Sequence, residues 1–149
     1  MLNSKVGANL VPTFIFGSII TLEYIQNFIY KEKTMNIIVN IIIGIVALLH
    51  GYFLILEMFL WEKPQGRKSF RTTAEFASQS KMLAANQGLY NGFLAAGLVW
   101  GIFADDAVKI FFLSCVIIAG LFGAYTVSKR IFYIQAMPAL IGLVLLLVA

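Results

Sequence analysis

The chain has 149 residues, 60% of them hydrophobic and 12% charged, with a formal net charge of +4. Soluble domains carry about a quarter charged residues and just under half apolar ones, so this balance excludes an ordinary globular protein. The positive charge does not point to nucleic acid either. Five of the eleven basic residues (Lys63, Arg67, Lys68, Arg71, Lys81) share one link between apolar runs, as positive-inside signals do.

A hydrocarbon core about 30 Å thick needs roughly 20 apolar residues per helix. On that ruler the chain reads as an all-α integral membrane protein. Residues 35–149 form a four-transmembrane-helix bundle, preceded by an N-terminal extension, 1–34. Within the extension, 10–30 is apolar enough to enter a membrane but contains Pro12, Glu23, Gln26 and Asn27. Lys5 ahead of it resembles a signal sequence, yet no A-x-A-like cleavage site follows. Three readings stay open: a fifth membrane-embedded helix, an interfacial helix, or an extension upstream of a start at Met35. The first is favoured, and it places the N-terminus in the cytoplasm.

The first span of the bundle covers about 37–61, IIVNIIIGIVALLHGYFLILEMFLW, and ends where Pro64 and Gly66 break the helix among charges. In the 62–81 link, Thr72 and Glu75 are spaced as a capping box, which predicts a helix start at Thr72, and a plain polar connector is the alternative reading. The second span, about 82–103, stops at Asp105-Asp106, the third (107–127) at Lys129-Arg130, and the fourth (131–148) ends the chain. The 62–81 and 128–130 links are basic and therefore cytoplasmic, which leaves the C-terminus external. The lipid bilayer is the principal partner.

Three spans carry polar side chains at matching depth. His50 and Glu57 are seven residues apart, on one face and about 10 Å apart along the axis. Asn86, Gln87, Tyr90 and Asn91 fall within an arc of about 140° on the second span, and Gln135 lies about one turn inside the fourth. Ionisable groups at membrane depth cost several kcal/mol and normally face a bundle interior or a water-filled cavity. These seven residues are the candidate ligand-binding set, converging on one chamber in the cytoplasmic half. Ala84, Gly88, Gly92 and Ala96 make a small-residue groove beside it, suited to close helix approach or to a homo-oligomer seam.

Competing readings stand beside this one. The amides can be interhelical hydrogen-bond glue, Glu57 can snorkel to the interface beside Trp61, and His50 can be a packing histidine. Trp61 and Trp100 suit the two interfaces, and Asp105-Asp106 a solvated turn. The lone Cys115 has no thiol to pair with, and no metal-ligand or phosphate-loop motif is present, so no metal or cofactor is expected.

LEMFLW (56–61), NQGLYNGFLAAGL (86–98) and QAMPA (135–139) resemble the small bacterial membrane-protein family catalogued as Domain of Unknown Function 1304, over about 35–149. The resemblance implies a four-span inner-membrane protein and contributes no reaction. Its signature positions here would be His50, Glu57, Trp61, Asn86, Gln87, Tyr90, Asn91, Gln135 and Pro138. Three functions follow as expectations. The first is binding or transport of a small molecule or ion, and the second an accessory subunit. The third is a membrane-embedded enzyme using Glu57 and His50 as acid and base.

Overall fold

The computed structural model describes the backbone of residues 5–149 and the side chains of residues 21–149. Among the described residues there is no strand. The elements are α1 (Lys5–Met58), α2 (Pro64–Phe70), α3 (Ala74–Phe103), α4 (Asp106–Thr126), α5 (Lys129–Ile131), a π-helical turn (Phe132–Ala136) and α6 (Met137–Val148). Contacts divide the chain into two units, Met1–Ile37 and Ile38–Ala149. In the first, residues 21–34 are helical and exposed throughout. The alternatives for residues 1–34 fall partly outside the described side chains.

The second unit has one hydrophobic core supplied by four helices. Val39, Ile43, Val46 and Ala47 come from α1, Leu98 from α3, Leu113 and Val116 from α4, and Ala139 and Leu146 from α6. Small residues set the spacing at each seam. A Cβ on Gly88 would lie 2.6 Å from Met58 Cγ, and one on Gly92 would lie 2.5 Å from Leu54 Cδ1. Gly97 abuts Phe112 of α4, Gly120 abuts Ala136 of the π turn, and Gly142 abuts Ile42. The Gly88/Gly92 groove is thus filled by α1 of the same chain.

Among the described residues three helical stretches are long and apolar enough to cross a membrane: Thr21–Met58, Asp106–Thr126 and Lys129–Val148. α3 is not among them, because Asn86, Gln87, Tyr90 and Asn91 dilute its apolar residues. Its helix nonetheless starts at Ala74, eight residues before the expected span, and ends at Phe103 as expected. The cap differs from the sequence expectation as well. Thr73, not Thr72, is the N-cap, its hydroxyl accepting from Phe76 N–H at 3.1 Å. Thr73 has the extended backbone a cap requires, whereas Thr72 follows directly on the αL residue Arg71.

α1 ends at Met58, three residues short of the expected Trp61. Lys63 precedes Pro64 and takes the extended conformation that proline imposes, so the chain must leave the helix before it. α2 then folds back on the end of α1. Gly66 is buried against the Leu60 carbonyl, an approach that leaves no room for a side chain. Trp61 packs on Phe70 with ring centroids 4.9 Å apart. Its indole N–H donates to Ser80 Oγ at 3.1 Å, and Ser80 Oγ donates to Phe76 O at 2.6 Å, tying the connector to α3. In the last span, Pro138 cannot donate to the Ile134 carbonyl. The backbone before it widens into the π turn, where Met137 N–H reaches Phe132 O.

Candidate functional site

The candidate polar residues include a buried pair and an exposed set. Glu57 from the last turn of α1 and Asn91 from the middle of α3 are 8% and 5% exposed. Asn91 Nδ2 donates to Glu57 Oε2 at 2.7 Å, the short distance of a strong interhelical bond. The approach that permits it is set one turn away, where Gly88 lies against Glu57 Cβ and the Met58 backbone.

Asn86, Gln87 and Tyr90 point away from that pair. All three are exposed on the outer side of α3, Tyr90 by 51%. The sequence reading placed all four side chains of the arc in one chamber, and helix geometry explains the difference. Ala84, Gly88 and Asn91 lie within about 60° of one another at about 100° per residue. This small-residue edge packs on α1, carries Asn91 inward and turns Asn86 and Tyr90 outward. Gln135 is half-buried in the π turn.

His50 is 1% exposed, and its Nδ1 lies 2.9 Å from the Val46 carbonyl of its own helix. Phe53 meets its ring edge-on at 6.4 Å between centroids. Two turns of helix, about 10 Å of rise, separate it from Glu57. The two share a face but make no contact with each other.

Glu57 has no ion-pair partner among the described residues. An ionised carboxylate offers about four acceptor positions, and a single neutral amide fills one of them. The remaining lone pairs suit a proton or direct ligation of a small cation. No group of three or more His, Cys, Asp or Glu side chains that could hold a metal ion occurs among the described residues.

Two buried polar groups were not singled out in the sequence. Asn40 Oδ1 is buried on α1 with no hydrogen-bond partner among the described residues. Its signal was legible, since it is the one polar side chain between Ile37 and His50. Lys109 is only 7% exposed and bonds Asp106 Oδ1 at 2.9 Å within the first turn of α4. Its methylene chain lies over Gly101, so the small residue on α3 is what buries it.

The family described as "Protein of unknown function (DUF1304)" matches residues 44–147 of this chain. The "Uncharacterized protein YpaA" of Lactococcus lactis subsp. lactis (strain IL1403) is 30% identical over 115 residues, 74% of this chain and 97% of that protein. No solved structure matches the chain.

Proposed function

This chain belongs to the DUF1304 family, and we propose that it is a four-span membrane protein that binds a small cation at Glu57 and Asn91. The carrying observation is a buried carboxyl whose one partner among the described residues is a neutral amide. A lone ionised group at that depth costs several kcal/mol, which a bound cation would offset. In this reading α3 is the fourth membrane-crossing helix. Its 30 residues rise about 45 Å, more than the hydrocarbon thickness, and its buried seam meets both α1 and α4. The basic 62–81 and 128–130 links lie at the cytoplasmic face of a bacterial cytoplasmic membrane, and Glu57 opens toward that side.

The test is thermal unfolding of the purified protein in mild detergent against sodium, magnesium and tetramethylammonium chlorides. A ligand at a hundred times its Kd stabilises by about 2.7 kcal/mol, a shift of several degrees. One of the three is expected to give such a shift in wild type and none in Glu57→Gln, which keeps the acceptor for Asn91. Equal shifts in both proteins would remove Glu57 from the site.

A second reading, an accessory subunit, is favoured by Asn86, Gln87 and Tyr90 on the outer side of α3. Amides facing hydrocarbon gain from a partner helix. Co-purification of a larger complex that Asn86→Leu disrupts would support it. Acid–base chemistry by His50 and Glu57 has no comparable support, since two helical turns lie between them.

A further inference from the structure

We infer that the connector between α1 and α3 holds a phosphate group, that of an anionic phospholipid headgroup, through Arg67 and Thr72 at the C-terminal turn of α2. Arg67 Nε and Thr72 Oγ1 are buried and have no hydrogen-bond partner among the described residues. They are the two such groups able to donate, since the third, Asn40 Oδ1, is an acceptor. Buried donors are normally paired, so two orphans five residues apart at the C-terminal end of α2 point to a ligand that accepts. Thr72 N–H donates to the Arg67 carbonyl at 3.0 Å, which places the two residues on adjacent turns of backbone.

The charge around them suits an anion. The connector has Lys63, Arg67, Lys68, Arg71 and Lys81 against Glu62 and Glu75. Lys81 is paired to Glu62 at 2.6 Å, and the other four cations have no ion-pair partner among the described residues. α2 is a seven-residue helix, so its weak C-terminal dipole is outweighed by four full positive charges. A guanidinium is the donor that best matches phosphate oxygens, and a threonine hydroxyl adds a directed bond.

The position selects a lipid over a free anion. α2 is fixed against the end of α1 by buried Gly66 and by Trp61 on Phe70, directly where the apolar helix ends. Headgroup phosphates of an anionic leaflet lie at that level. The inference rests on the membrane placement of the connector and not on any ligand of Glu57.

The test uses the full chain in dodecyl maltoside, with thermal unfolding titrated by dioleoyl phosphatidylglycerol, dioleoyl phosphatidylcholine or inorganic phosphate. Phosphatidylglycerol is expected to raise Tm by several degrees at a lower concentration than either of the others. Arg67→Lys, which keeps charge but loses the planar fork, and Thr72→Val, which keeps shape, should each raise the midpoint by about fivefold or more. Lys63→Gln, outside the pair, should change it by less than about twofold, and Glu57→Gln should leave it unchanged. If Arg67→Lys and Thr72→Val titrate like wild type, only diffuse charge attraction acts and the site is overturned. If inorganic phosphate alone gives the full effect at the same midpoint, the lipid assignment is overturned. Should one of the two variants fail to fold by circular dichroism, the other decides.

Discussion

Asn91 on α3 donates a 2.7 Å hydrogen bond to Glu57 on α1, and Gly88, one turn away, lets the two helices come close enough for it. The bond both joins helices and leaves most of a carboxylate's acceptor capacity unused. Removing either partner separates those two roles. Asn91→Leu leaves a buried carboxyl without its donor and should cost about 1–3 kcal/mol. Glu57→Gln keeps an acceptor and should cost less than about 1 kcal/mol. The double variant Glu57→Leu/Asn91→Leu should recover most of the Asn91→Leu loss. Unfolding in mixed micelles measures all three, and adding the single Glu57→Leu completes a double-mutant cycle.

The glycine seam gives a ranked series. Gly66→Ala should be the most damaging, because the new Cβ meets the Leu60 carbonyl, a backbone atom. Gly88→Ala comes next at about 1–3 kcal/mol, since its obstacles include the Met58 backbone N at 3.1 Å. Gly92→Ala is milder because the end of the Leu54 side chain can move. Gly44→Ala and Gly51→Ala have nothing within 4 Å and should be neutral or slightly stabilising, as alanine favours helix. Melting temperatures of the five variants check the order, and a flat series would contradict the packing of α1 on α3.

Much of this arrangement could be read from the residues. The apolar runs gave the helices of α1, α4 and α6, but of the polar run on α3 only Asn91 meets Glu57, so the expected seven-residue chamber reduces to one pair. The facing of that run could not be read, because polarity and smallness compete for the interior of a membrane helix. Gly88 and Ala84 won, taking Asn91 with them and leaving Asn86 outside. The fold of the connector was also hidden. Gly66 looks like a helix breaker, and only its closeness to Leu60 explains why α2 can dock there.

Arg71 caps α2 in the left-handed conformation, φ 53°. A residue with a Cβ pays a penalty there that glycine does not. Arg71→Gly should therefore raise stability by about 1 kcal/mol. Arg71→Val, β-branched, should lower it. Thermal unfolding of the pair decides, and equal melting temperatures would mean the turn is free to readjust.

Trp61 reports on the same connector. Phe70→Ala removes its 4.9 Å ring partner and should shift the Trp61 emission to the red while leaving the Trp100 component in place. Ser80→Ala removes the acceptor of the indole N–H and should cost about 1 kcal/mol. Trp100→Phe as background isolates the Trp61 signal.

The central claim is that Glu57 is a ligand-accessible carboxyl and not merely a strut between helices. Labelling with dicyclohexylcarbodiimide, which modifies carboxyl groups inside apolar protein, tests it most directly when the adduct is mapped by mass spectrometry. The account predicts an adduct on Glu57, lost in Glu57→Gln and suppressed in wild type by the cation that raises its melting temperature. Absence of labelling at Glu57, or labelling that sodium, magnesium and tetramethylammonium all leave unchanged, would contradict it.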